Sequence, residues 1–387
     1  MRCASPGAAT DPAVSLLINP GARPTGALAA AAPYLSAARL DEAKAEISSW
    51  DGYRPTPLAD LPGLARGLGI ASLRIKDEGR RFHLKAFKAL GGPYAIARIA
   101  ARDGSAGRIF TSATDGNHGR AVAWGAQRLG CRAVIYVPSG VSEGRIQAIA
   151  AFGAEIVRTR GTYDEAVAEC AATAKKNGWT VIADTSEDPH EEVPNLIMEG
   201  YMVAVAEAAE QMGEAPTHIF AQAGVGGLAC AVAAYAEIRW GAARLRLVVV
   251  EPAKAACLML AAEQGRIAQF PGDLETVMGG LSCGLASAPA WAVLRTAADA
   301  FLSIPDGGVP DAMRLLADGA GGDKPLVAGE SGVAGLAGLM AVAASEEMRR
   351  SLGLDGTSRV LLFSTEGDTD PVLYAKIVGR SAEAVRG

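Results

Sequence analysis

The chain has 387 residues, 50% hydrophobic and 20% charged, a soluble globular composition long enough for two domains. Its formal net charge of −5 argues against nucleic acid or an anionic membrane as a partner. No stretch approaches the ~20 apolar residues of a membrane-spanning helix, and six cysteines without a C-x-x-C pair, beside only four histidines, argue against a metal centre.

Residues 1–33 are rich in Ala, Gly and Pro and read as irregular. Asp11, Asn19-Pro20 and Arg23-Pro24 interrupt them, and they lack the basic segment and apolar core of a secretory leader, so the expected location is the cytoplasm. A charged amphipathic helix is expected over 33–50, with Asp41, Glu42, Lys44 and Glu46 on its wet side. Pro55-Thr56-Pro57-Leu58 reads as extended, because each proline biases the residue before it away from helix. A strand over 73–76 runs into Arg80-Arg81-Phe82-His83-Leu84-Lys85-Ala86-Phe87-Lys88-Ala89-Leu90-Gly91-Gly92, followed by an apolar helix over 93–100. Further strands are expected over 108–112, 131–137, 155–158, 180–184, 218–222, 245–250, 301–304 and 359–364. They alternate with helices over 121–129, 143–152, 164–176, 194–212, 228–240, 290–298, 310–317 and 332–349. Continuous β-branched runs separated by helical patterns indicate parallel strands covered on both faces. The expected class is α/β, with two open, mostly parallel sheets and a cofactor in the cleft between them.

Lys88 stands between Phe87 and Ala89 at the start of an element. In such apolar surroundings a lysine loses hydration, which lowers its pKa and makes it an amine nucleophile suited to an aldehyde cofactor. A surface lysine with its stem on apolar ground is the other reading. Three more stretches fall at loops following strands, the edge where open α/β sheets bind ligands. In Thr111-Ser112-Ala113-Thr114-Asp115-Gly116-Asn117-His118-Gly119, the glycines let amides turn toward an anion such as a substrate carboxylate. Asn117 there can donate to a ring oxygen, or Asp115 or Asn117 can cap a helix. In Gln222-Ala223-Gly224-Val225-Gly226-Gly227-Leu228, glycines expose amides at a helix N-terminus, which favours a phosphate. The Gly-x-Gly-Gly spacing is not the dinucleotide pattern, so nicotinamide binding is the lesser reading. In Leu362-Phe363-Ser364-Thr365-Glu366-Gly367-Asp368-Thr369-Asp370, an apolar strand ends in hydroxyls suited to an unprotonated pyridine nitrogen, with Asp368 or Asp370 capping a helix.

In this order the stretches resemble the fold-type II pyridoxal-phosphate enzymes, and more closely the diaminopropionate ammonia-lyases. The matching pieces are Tyr53-Arg54-Pro55-Thr56-Pro57-Leu58, Ala86-Phe87-Lys88-Ala89-Leu90-Gly91-Gly92, Ala113-Thr114-Asp115-Gly116-Asn117-His118-Gly119-Arg120, Gln222-Ala223-Gly224-Val225-Gly226, Gly329-Glu330-Ser331-Gly332 and Ser364-Thr365-Glu366-Gly367-Asp368-Thr369-Asp370. Asp-Gly-Asn-His-Gly is the specific part, since the wider superfamily more often has a small residue where Asp115 stands.

The resemblance implies pyridoxal 5'-phosphate as cofactor, a small amino-acid substrate, and a homodimer. It implies a large cofactor domain of residues 1–89 and 200–387 and a small inserted α/β domain of residues 90–199. Lys88, beside Phe87, would carry the cofactor and act as a base at the substrate's Cα. Asn117 would hold the cofactor's phenolic oxygen, Gly224, Val225, Gly226 and Gly227 its phosphate, and Ser364 or Thr365 its ring nitrogen, with Glu330 also in the cofactor set. Asp115, on the other face of Cα, would be the second base that lets both enantiomers of 2,3-diaminopropionate be eliminated to pyruvate and ammonia. A dehydratase of serine, threonine or 3-hydroxyaspartate is the alternative, and the extra cation at Lys85 favours a more acidic substrate. Cys257 and Cys283 fall where these enzymes carry a cysteine pair, which implies two thiols close together beside the mouth of the site.

Overall fold

A computed structural model describes residues 13–23, 26, 28, 34–114, 116–241 and 245–387. Eleven strands occur among them: β1 Ser15–Ile18, β2 Leu58–Asp60, β3 Ser72–Asp77, β4 Ile109–Ala113, β5 Arg132–Val137, β6 Glu155–Arg158, β7 Thr180–Val181, β8 His218–Gln222, β9 Arg246–Pro252, β10 Ala300–Ile304 and β11 Arg359–Ser364. Seven form one sheet in the order β1-β10-β9-β8-β11-β3-β2, and four form a second in the order β6-β5-β4-β7. The smaller sheet is parallel throughout. In the larger one only the edge pairs β1/β10 and β2/β3 are antiparallel.

Central strands are apolar without alternation because helices cover both faces. Along β8, Ile219 and Ala221 pack into the core on one side of the sheet and Phe220 into the core on the other. The helix Glu192–Met212 is buried over most of its length, between the helix Lys88–Asp103 and the helix Gly227–Trp240. Its Gly200 makes that packing possible: a Cβ there would sit 2.9 Å from the Leu90 carbonyl carbon and 3.1 Å from Gly91 Cα. The helix that carries Lys88 can therefore approach to backbone contact.

Three local expectations differ. Residues 15–18 are not irregular; they form β1, with Ser15–Ile18 running antiparallel to Ala300–Ser303 at the sheet edge. The apolar helix expected from residue 93 begins at Lys88, taking in both glycines, because helix Glu192–Met212 and Val122 press against Gly91 and Gly92. The single helix over 332–349 is two, Ala334–Ala343 and Glu346–Leu352, since the Ser345 hydroxyl accepts from Met348 N–H and starts the second. No helix among the described residues is long and apolar enough to cross a membrane.

Candidate active site

The C-terminal ends of β3, β4, β8 and β11 carry the four loops of interest. Between β3 and Lys88 the chain is pinned by a buried ionic cluster. Arg81 lies 2.8 Å from Glu78 and 2.7 Å from Glu207, and Lys76 lies 2.8 Å from Glu207, with at most 1% of any of these side chains exposed. Thr56, in the Pro-Thr-Pro segment, donates through its hydroxyl to Glu78, and its carbonyl accepts from Lys76. Such a cluster is costly to break, on the order of 3–5 kcal/mol when one partner is lost. It anchors a loop that needs anchoring: Phe82 and Lys85 have φ of 48° and 53°, at about 1–3 kcal/mol each. Downstream, Phe87 N–H donates to Thr365 O at 3.0 Å and Gly367 N–H to Lys85 O at 2.9 Å, stitching the loop to the end of β11.

Lys88 Nζ lies 2.5 Å from Asp184 Oδ2 and over the rings of Phe87 (5.3 Å) and Tyr201 (5.7 Å). The expected lowering of its pKa does not hold in this state. Burial does push the ammonium down, but the Asp184 carboxylate more than reverses it and holds Lys88 above its ordinary range. Burial would raise Asp184 in turn, yet the Lys88 charge keeps it well below the usual carboxylate range. His118 completes the group. Its Nε2 must donate, because its partner at 2.8 Å is the Ile182 carbonyl oxygen. Its Nδ1 is therefore a lone pair when the ring is neutral, 4.0 Å from Asp184 and without a hydrogen-bond partner.

Asn117 opens the helix Asn117–Arg128, but its side chain does not cap it; the amide donates to Glu366 Oε2 at 2.5 Å. The Thr114 hydroxyl serves the helix start, accepting from Gly116 and Gly119 N–H. Asp115 lies outside the described residues. Glu366 also accepts from Thr369 Oγ1 and Ser331 N–H. Glu330, next to it and buried, has its carboxyl pushed up to about 7 by burial and by the Glu366 charge. Arg145, from the helix Glu143–Ala150 on the smaller sheet, reaches within 3.8 Å of Glu330.

After β8, Gly226 takes φ +106° and Gly227 begins a 14-residue helix whose first amides have no side-chain cap. Gly224 leaves little room for a side chain, since a Cβ would lie 2.8 Å from Cys283 Sγ and 3.3 Å from Leu281 Cα. Cys257 donates through its thiol to Gly224 O at 3.5 Å, so Cys257 and Cys283 both meet the same residue of the glycine loop. Val225 O accepts from Ser287 N–H. At the end of β11 the two hydroxyls part ways: Thr365 Oγ1 accepts from Gln222 Nε2 at 3.1 Å, whereas the buried Ser364 hydroxyl makes only a 3.4 Å contact to Glu366 O. Asp370 caps the helix Pro371–Val378. Lys85 is 2.7 Å from Asp368, which also pairs with Arg386, so its charge is already neutralised.

This donor set fits pyridoxal phosphate: an amine, uncapped helix amides for a phosphate, an amide for a phenolic oxygen and a hydroxyl for a ring nitrogen. The comparisons agree. The family of pyridoxal-phosphate dependent enzymes matches residues 49–366. Diaminopropionate ammonia-lyase of Escherichia coli K12 is 39% identical over 356 residues, which is 86% of this chain and 89% of that one. The chain belongs to the diaminopropionate ammonia-lyase family. Crystal structures from that family superpose closely. The selenomethionine holo enzyme of E. coli has a TM-score of 0.88 at 35% identity, covering 95% of this chain and 96% of that one. The E. coli complex with the aminoacrylate-PLP azomethine intermediate has a TM-score of 0.87 at 37% identity, covering 95% and 97%. The expected fold class, two mostly parallel sheets of the fold-type II kind, stands.

Asp184, Glu366 and Tyr201 were not singled out from the sequence as site residues. Asp184 carried a usable signal, an acid at the end of a strand on the ligand edge; that strand stops at Val181 and leaves Asp184 in a loop.

Proposed function

We propose that this member of the ammonia-lyase family uses pyridoxal phosphate to eliminate the β-amine of 2,3-diaminopropionate. With one water consumed, the products are pyruvate and two ammonia molecules. The observation that carries the reading is the Lys88–Asp184 pair, set within a family match that runs from 49 to 366 and so takes in Lys88, both glycine loops and Ser364. Lys88 Nζ would hold the cofactor, the amides of Gly224–Gly227 its phosphate, Asn117 its phenolic oxygen and Ser364 its ring nitrogen. When bound, the cofactor supplies an electron sink that makes the substrate's Cα–H acidic. Lys88 then takes the Cα proton on its own face, and Asp184 holds the resulting ammonium until the proton passes to the departing β-nitrogen. A base reaches only the proton on its own face, so the other enantiomer needs Asp115. A homodimer, on family resemblance, and a cytoplasmic location are part of the proposal.

The test is turnover of each enantiomer by wild type, Lys88→Ala and Asp115→Asn. Lys88→Ala should lose both activities, and Asp115→Asn the D-activity alone. Wild type that ignores both enantiomers but dehydrates serine, threonine or 3-hydroxyaspartate would overturn the reading.

A further inference from the structure

Tyr201, like His118, carries a buried polar atom at this site without a hydrogen-bond partner. It sits on the helix Glu192–Met212, 1% exposed, and its hydroxyl has no hydrogen-bond partner among the described residues. A buried hydroxyl left without a partner costs about 1–3 kcal/mol, so its retention calls for a use outside the fold's own bonding. Its ring is held on several sides. Phe87 lies against it at 4.5 Å between centroids, a Cβ on Gly91 would meet its Cζ at 2.8 Å, and one on Gly227 its Cε2 at 3.6 Å. The same ring thus touches the helix of Lys88 and the start of the glycine-loop helix.

The charges acting on Tyr201 are the Lys88 ammonium and the Asp184 carboxylate. Those acting on Lys88 are Asp184, Tyr201 and the Cys283 thiol, and His118 faces Asp184 from the helix Asn117–Arg128. We propose that the Tyr201 hydroxyl is a positioning group for Lys88, which deepens the function proposed above and rests on it. A neutral amine carries two N–H bonds and one lone pair in tetrahedral directions. Asp184 can only accept, so it takes one N–H. Tyr201 Oη takes the other. The lone pair is then left along the third direction, toward the substrate's Cα, rather than free to rotate about Cε–Nζ. When Lys88 is charged, the same oxygen shares the ammonium's hydrogens, which favours the charged form.

Tyr201→Phe keeps the ring and removes the oxygen. In full-length protein stripped of cofactor, competition labelling with acetic anhydride across pH, read on the Lys88 peptide by mass spectrometry, gives the Lys88 midpoint. The midpoint should fall by about one unit, and kcat on diaminopropionate should fall on the order of tenfold with KM unchanged. An unmoved midpoint, or an unmoved kcat, makes Tyr201 a space-filling residue and overturns the proposal. The labelling needs no substrate. Wild type inactive on diaminopropionate would sink the function proposal, while the shift of the Lys88 midpoint would still decide the role of Tyr201.

Discussion

Replacing Asp184 by asparagine keeps the shape of the site and removes the carboxylate that holds Lys88 charged. At the 2.5 Å separation seen here, an effective dielectric of ~20 gives a gross attraction of about 6–7 kcal/mol. Removing each ion from water costs several kcal/mol of that, leaving a net of about 2–3 kcal/mol, or about two units of Lys88 pKa. The neutral fraction of Lys88 at pH 7 should then rise about a hundredfold in Asp184→Asn, while the less basic amine is a weaker nucleophile. Cofactor-stripped Asp184→Asn should therefore take up pyridoxal phosphate about tenfold faster than wild type near neutrality, followed by absorbance in stopped flow, with turnover reduced. The stability consequence has a definite sign. Asp184's contribution is present above its unfolded value of 3.8 and lost as pH falls through its depressed folded value. That of Lys88 is present below 10.5 and lost as pH rises through its raised folded value. The variant's Lys88 sheds its proton earlier, so its stability deficit should hold level around neutrality and narrow only at alkaline pH, once the variant's Lys88 has lost its proton and that of wild type has not. Equal uptake rates across pH in the two proteins would refute the argument that Asp184 sets the charge of Lys88.

Gly226→Ala should raise the dissociation constant for pyridoxal phosphate about tenfold and leave that for unphosphorylated pyridoxal nearly unchanged. The φ of +106° penalises any side chain by about 1–2 kcal/mol, and an added Cβ would sit 3.1 Å from Ala290 Cβ; equal weakening of both ligands would show that the loop does not hold the phosphate. Glu251, wholly buried at the end of β9, accepts from Leu258 and Met259 N–H, and burial pushes its carboxyl up to about 8. Being raised from 4.5, it makes the unfolding free energy fall as pH rises from 4.5 to 8, by up to about 1.4 kcal/mol per unit; Glu251→Gln should flatten that slope in urea titrations, and parallel slopes would count against it. Lys85→Met should cost about 1 kcal/mol of stability and leave KM for diaminopropionate unchanged, since its charge is spent on Asp368; a raised KM would restore it as a substrate contact.

Much of the scaffold was legible because it is local. β6, β8 and β11 fall on the expected residues, since a run such as Arg359–Ser364 has a continuous apolar centre, Val360–Phe363, between polar ends. Helix ends were less legible where one hydroxyl decides them, as Ser345 does. The four loops declared themselves by residue type, since an uncapped helix start after a strand needs glycines and a cofactor amine needs lysine.

The sequence by itself determined the fold class, the order of the cofactor loops and the lysine among them, because each is written within a short stretch. Tertiary structure alone decided what stands beside that lysine. β1 is four residues that become a strand only because β10, nearly 300 positions away, offers an open edge. Asp184 meets Lys88 across 96 positions, and Tyr201 arrives from a helix that can approach only where Gly91 and Gly200 face each other. The pKa of Lys88 turned with them. Apolar neighbours in the sequence predict a lowered value, and one carboxylate brought within 2.5 Å by the fold outweighs them, because a charge in a site largely closed to water acts over short distance with little screening.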